Sequence, residues 1–145
     1  MSCFADTSFL LSVAGDDAHT PKATAWLATH EGRIYITALV RFECINRLHK
    51  WHLDGTLDDD EHQRALLHLD TLTARRFLIV REVPLRTLAA EARRLIEHFS
   101  PCIPHGTLDT LHLAAALALR CDTVLTFDHN QRALALSVGL DTLPV

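Results

Sequence analysis

A chain of 145 residues is long enough to bury one substantial core and reads as a single domain over residues 1–145. Nearly half of it is apolar and 22% is charged, which excludes a disordered chain, while a net charge of −4 excludes nucleic-acid binding driven by bulk positive charge. A nucleic-acid substrate is still compatible with that charge, because a bound divalent metal and local arginines can supply the positive field.

The first apolar run, Cys3-Phe4-Ala5, predicts a strand that ends at Asp6-Thr7-Ser8. Phe9–Val13 continues as a helical turn, Gly15-Asp16-Asp17 is turn chemistry, and Thr20-Pro21 starts a helix that runs through Ala23–His30. Gly32 ends it, and Arg33–Thr37 reads as the second strand. Leu39–Leu53 is a helix with a buried stripe of Phe42, Ile45 and Leu48, broken by Asp54-Gly55. Asp58 with Glu61 three residues on resembles a capping pair for a helix carrying Leu66, Leu67 and Leu69. Phe77–Val83 is the third strand. Pro84 opens a helix whose apolar period takes in Leu85, Leu88, Ala89, Ala92, Leu95, Ile96 and Phe99. Residues 100–106, with two prolines and a glycine, form a loop.

The following stretch organises the rest. Thr107 is expected to cap a helix running to Arg120, with Leu108, Leu111, Ala115 and Leu119 on one stripe and Leu113 and Leu117 on another. A helix apolar on two sides belongs between layers rather than on a surface. Thr123–Phe127 is a buried strand with Asp128 just past its carboxyl end. Asn130–Val138 is a short helix stopped by Gly139, and Leu140–Val145 is extended. Strands alternating with helices predict an α/β fold: a three-layer α/β/α sandwich around a mainly parallel sheet of four or five strands. Ligands of such sheets bind beyond the strands' carboxyl ends.

The remaining composition is quieter. Cys3, Cys44, Cys102 and Cys121 are widely spread without a CxxC pairing and read as reduced, mostly buried thiols. His49 and His52 stand three apart on a predicted helix with no third ligand near in sequence, so solvated or packed roles are expected. No apolar run reaches a membrane span and no signal-like core follows a basic segment. A cytoplasmic protein without a membrane partner is therefore expected.

Four acids fall where the cleft should lie: Asp6 after the first strand, Glu43 early in a helix, Asp109 likewise, and Asp128 after the fourth strand. Each also has a structural reading. Asp6 can cap the turn after it, Glu43 can pair with Arg47, Asp109 can complement a helix N-terminus, and Asp128 can cap the helix that follows. All four falling at one end of one sheet points instead to metal-assisted hydrolysis. Hard Mg2+ or Mn2+ takes oxygen ligands, and two carboxylates ~4 Å apart repel by about 4 kcal/mol at an effective dielectric of ~20 until a cation sits between them. Such a metal orients a water, lowers its pKa and stabilises charge on a phosphodiester. Arg41, Arg47 and Lys50, near Glu43, are candidate phosphate contacts.

At these residues the sequence resembles the PIN domain family, and within it the VapC-type toxins of bacterial toxin–antitoxin pairs. The matching pieces are Asp6-Thr7-Ser8, Glu43 with Asn46, Asp109 within Leu108-Asp109-Thr110-Leu111-His112-Leu113-Ala114, and Thr126-Phe127-Asp128. They span essentially the whole chain in order. The resemblance implies a metal-dependent endoribonuclease whose acidic pocket is Asp6, Glu43, Asp109 and Asp128, with Asp6 and Asp109 the principal ligands. It implies supporting hydroxyls at Thr7 and Thr126, an RNA substrate, an inhibitory antitoxin partner and a homodimer. Two other acid-bearing folds fit less well. A phosphorelay receiver needs an acid after its third strand and a later lysine, but Val83 leads into Pro84 and no lysine follows Asp128. A haloacid-dehalogenase-type phosphatase needs a second Asp where Ser8 stands. The alternative kept open is a catalytically spent, PIN-like protein-interaction module, which metal dependence of stability would separate from a nuclease.

Overall fold

The computed structural model describes residues 1–99 and 106–144. Five three-residue strands, β1 (Cys3–Ala5), β2 (Ile34–Ile36), β3 (Leu78–Val80), β4 (Thr123–Leu125) and β5 (Asp141–Leu143), form one sheet in the order β3-β2-β1-β4-β5. Every pairing is parallel; Cys3 lies opposite both Ile34 and Thr123, and Ala5 opposite Leu125. Burial follows position in the sheet. All of β1 and β4 is buried, whereas the edge strands β3 and β5 are partly exposed. The two inner apolar runs therefore carry no polar alternation, as strands covered on both faces should not.

Among the described residues seven helices flank the sheet, completing the three-layer α/β arrangement expected from the alternating pattern. They are α1 (Thr7–Ala14), α2 (Thr20–Thr29), α3 (Ala38–Leu53), α4 (Asp59–Ala74), α5 (Leu85–Phe99), α6 (Thr107–Ala118) and α7 (His129–Ser137). Helices α1 to α4 pack among themselves, and α6 packs between α5 and α7. Four helices begin with a side-chain cap that satisfies an orphan N–H: Asp6 Oδ1 accepts from Phe9 (2.9 Å), Thr37 Oγ1 from Val40 (3.2 Å), Asp58 from Glu61 (2.8 Å) and Asp128 from Gln131 (2.7 Å). Gly139, at φ 84°, takes the left-handed backbone that ends α7.

Several expectations shift. The helical turn after Asp6 is a two-turn helix, α1, and Gly106 rather than Thr107 is the N-cap of α6. On α3 the buried stripe is Val40, Cys44 and Leu48, while Phe42 is 65% exposed. The i, i+4 rows hold one face of a helix more closely than the i, i+3 row through Phe42, which drifts off it. Leu67 on α4 and Leu85, Ala89 and Ile96 on α5 also face outward, leaving Ala65 and Leu69, and Leu88, Ala92 and Leu95, inside. Leu108 is likewise exposed, and the buried part of α6 is Thr110 with His112–Ala116. The expected loop over residues 100–105 and the thiol of Cys102 lie outside the described residues.

Cys3, Cys44 and Cys121 are buried free thiols, and burial pushes them up to about 11, 12 and 12. They stay protonated and unreactive. His52 stacks on His62 of α4, with ring centroids 4.6 Å apart, and His49 lies beside the same ring. No helix among the described residues is long and apolar enough to cross a membrane. Leu113, fully buried at the middle of α6, joins that helix to the core of the sheet. Leu113→Ala is expected to cost about 2–5 kcal/mol, read as a lower urea midpoint at an unchanged slope.

Candidate functional site

Strand β1 has one neighbour reached through α1 and α2 and another reached only after α6, so the strand order reverses at its boundary with β4. In open parallel sheets the crevice beyond the strand ends at such a point is where ligands bind. Asp6 and Thr126 are the first residues past β1 and β4, and the Asp6 N–H donates to Leu125 O (3.1 Å), closing the two strand ends together.

The Asp6 side chain is buried and fully used. Its Oδ1 accepts from the Phe9 N–H (2.9 Å), which caps α1, and from the Ser8 hydroxyl (2.7 Å). Its Oδ2 accepts from the Thr126 hydroxyl. Those two hydroxyls reach onward: Ser8 Oγ accepts the Phe127 N–H (2.9 Å) and Thr126 Oγ1 the Asp128 N–H (3.0 Å). Burial raises the Asp6 carboxyl from 3.8 to about 6, although the bonds from Thr126, Phe9 and Ser8 pull it back.

Glu43, on the second turn of α3, is held by α1 and α6. Its Oε2 accepts the Thr7 hydroxyl (2.6 Å) and faces His112 Nε2 (2.7 Å). The proton belongs on Nε2, since a carboxylate oxygen can only accept. That hydrogen bond is the main reason the Glu43 carboxyl lies below the usual carboxylate range; Thr7 adds to it, and Arg47 contributes less, through space. The expected Glu43–Arg47 pair is thus replaced by His112 and Thr7. His112 is 1% exposed, and the sequence reading included it in the stretch around Asp109 without giving it a role. Its signal was there: a lone imidazole three residues after Asp109, on the otherwise apolar core of α6.

Asp109 lies in the first turn of α6, where its carboxylate accepts the Gly106 N–H at 3.4 Å. Burial raises its carboxyl, and the nearby charges of Asp128 and then Glu43 add to the rise. Asp128 Oδ1 caps α7, while the side-chain amide of Gln131 donates to Asp109 O (3.1 Å) and ties α7 to α6. The capping and dipole readings therefore hold for Asp6, Asp109 and Asp128, and all four acids nevertheless line one cavity of about 540 Å³. Thr7, Ser8 and Arg47 line it too. Of the other two expected phosphate contacts, Arg41 pairs with Asp70 of α4, and Lys50 is exposed away from the cavity lining.

The PIN domain family model matches residues 3–136. The chain belongs to the PIN domain family. No curated protein matches it significantly. Among solved structures, this PIN domain is similar to VapC20 of Mycobacterium tuberculosis, described as a sarcin–ricin loop cleaving toxin. The TM-score is 0.71 at 17% identity, over 90% of this chain and 93% of that one. It is also similar to FitAcB of Neisseria gonorrhoeae (TM-score 0.68, 16% identity, 98% and 96% covered). A third is VapBC2 of Rickettsia felis bound to a DNA fragment from their promoter (TM-score 0.63, 16% identity, 99% and 98% covered).

The four carboxylates of this PIN domain offer a hard cation oxygen donors, which suit Mg2+ or Mn2+ better than a softer metal. The charges of Asp128 and Glu43 reach Asp109 and add to the rise of its carboxyl. Among the described residues, no three His, Cys, Asp or Glu side chains converge closely enough to hold an ion together. The hydrogen bonds explain the spread: Asp6 is turned to Thr126 and Ser8, Glu43 to Thr7 and His112, Asp128 to the start of α7.

Two outcomes follow for the metal-free protein. An acid whose folded pKa is raised adds stability that is fully present below its unfolded value and lost as pH climbs through the folded one. For Asp6 that window runs from 3.8 to about 6. Asp6→Asn keeps an oxygen to cap α1 but carries no charge. Urea midpoints taken across the window should fall less for the variant, by the order of 2–3 kcal/mol. Separately, His112→Ala should raise the Glu43 carboxyl towards and beyond its ordinary value, read by carbon-13 NMR titration of the side-chain carboxyl.

Proposed function

We propose that this PIN domain is a metal-dependent endoribonuclease that hydrolyses RNA phosphodiesters at the cavity of Asp6, Glu43, Asp109 and Asp128. It acts as the toxin of a toxin–antitoxin pair, as a homodimer held inactive by a cognate antitoxin. The observation that carries the reading is the arrival of four carboxylates from four separate elements in one cavity at the switch point of the sheet. Membership of the family and the likeness to a ribosomal-RNA-cleaving toxin and to a VapBC structure support it.

Asp6 and Asp109 would be the principal ligands of Mg2+ or Mn2+, with Glu43 and Asp128 completing the negative field. When bound, the metal supplies a polarised water and offsets charge on the phosphodiester. The chain's own groups do the positioning. Thr126 and Ser8 fix the Asp6 oxygens, while His112 and Thr7 hold Glu43 ionised and oriented. Arg47, the cation in the lining, is placed to meet a phosphate. A second reading, a catalytically spent interaction module with the same fold, is favoured by one observation: each of Asp6, Asp109 and Asp128 already serves as a helix cap or partner.

Asp109→Asn separates the two. In a nuclease, RNA cleavage and growth arrest on expression should be lost, and Mg2+ should no longer raise the melting temperature. The metal-free variant should be as stable as the parent or slightly more so, because one of several repelling charges is gone. A cap alone predicts a loss of about 0.3–1 kcal/mol with no change in activity. In the parent, saturating metal at ~100 times its Kd should stabilise by about 2.7 kcal/mol, and EDTA should abolish cleavage. A parent that gains nothing from Mg2+ or Mn2+ and cleaves no structured RNA would leave the interaction module as the better reading.

A further inference from the structure

Beside the carboxylates the cavity has an aromatic wall whose outermost ring is exposed. Phe9, buried in α1, lies 5.9 Å centroid to centroid from Phe127 with the planes 15° apart, and Phe127 lies 4.4 Å from His19 with the planes 8° apart. The three rings form a graded column: Phe9 is buried, Phe127 half-buried, His19 exposed. His19 and Phe127 both line the cavity of the four acids. One face of the His19 ring rests on Phe127, and among the described residues no further ring covers the other.

The column is also fixed in register with the acids. The Phe127 N–H donates to Ser8 Oγ (2.9 Å), and the same hydroxyl donates to Asp6 Oδ1 (2.7 Å). On the other side, Asp17 pins the turn that carries His19. Its Oδ1 accepts the His19 N–H (2.8 Å) and its Oδ2 accepts the Ser12 hydroxyl (2.9 Å). A planar ring held open-faced beside a phosphodiester-cleaving pocket suits the face of an unstacked nucleobase, which is how proteins hold single-stranded RNA.

We infer that His19, seated on Phe127, is a stacking position for one unpaired nucleobase next to the cleaved phosphodiester. The inference rests on the nuclease reading and adds to it a substrate-positioning residue outside the four acids. Recognition through a ring face tolerates any base identity and rejects a nucleotide buried in a helix.

The test compares the parent with His19→Ala and His19→Phe. Cleavage is followed in Mg2+, and binding of a fluorescent single-stranded RNA oligonucleotide is followed by anisotropy in Ca2+. His19→Ala should raise KM and the binding Kd by the order of tenfold, within the range of alanine substitutions at stacked bases, with little change in kcat. His19→Phe should restore both. An abasic nucleotide walked along the oligonucleotide should weaken parent binding at one position and leave His19→Ala binding unaffected there. If His19→Ala binds and cleaves as the parent does, or if only its melting temperature falls, the stacking role is wrong while the nuclease stands. His19-dependent binding without cleavage under any metal upholds the stacking position and removes the nuclease reading. No binding by the parent overturns the stacking role whatever its cleavage.

Discussion

The carboxylate of Asp6 is where the fold and the cavity are joined. One oxygen stops β1 from running on by starting α1, and the other reaches across to the hydroxyl that begins the exit from β4. Both strands are inner strands of the sheet, and the boundary between them is the place where a parallel sheet opens a crevice. Holding an acid there costs free energy, as its raised pKa records. The cost is tolerable because every lone-pair direction used inside the protein meets a donor.

The other acids repeat the pattern with variations. Asp128 caps a helix, Asp109 sits in a first turn, and Glu43 is gripped by an imidazole and a hydroxyl. Local electrostatics explains why these two duties coincide. The start of a helix is positive, so it tolerates a carboxylate that must also face other carboxylates. Burial and mutual repulsion then push Asp109 up while the imidazole pulls Glu43 down, so neighbouring acids acquire opposite tendencies from their surroundings alone.

Much of this was legible in the residues. Strand and helix order followed from Cys3-Phe4-Ala5, Ile34–Ile36, Thr123–Leu125 and the breakers between them, because buried parallel strands are continuous apolar runs flanked by turn residues. Phe42 was misplaced because a three-residue repeat and a four-residue repeat share Leu48, and Cys44 was weighed as a thiol instead of as a small apolar group. His112 escaped because its partner Glu43 is 69 positions away, a distance that only the packing of α3 against α6 collapses. The stack of His19 on Phe127 was hidden in the same way: the residues are 108 positions apart, and the sequence alone gives neither ring a partner.

The pairing of β1 with β4 has a kinetic side. Cys3 meets Thr123, so the central strand of the sheet gains its second neighbour only across a long stretch of intervening chain. Closing so long a loop is entropically slow, and parallel pairings of this kind fold late. Asp128 follows β4 directly, so the cavity cannot be assembled on an unfinished chain. A polypeptide of this design therefore keeps Asp6 and Asp128 apart until that pairing closes, however early its local helices form.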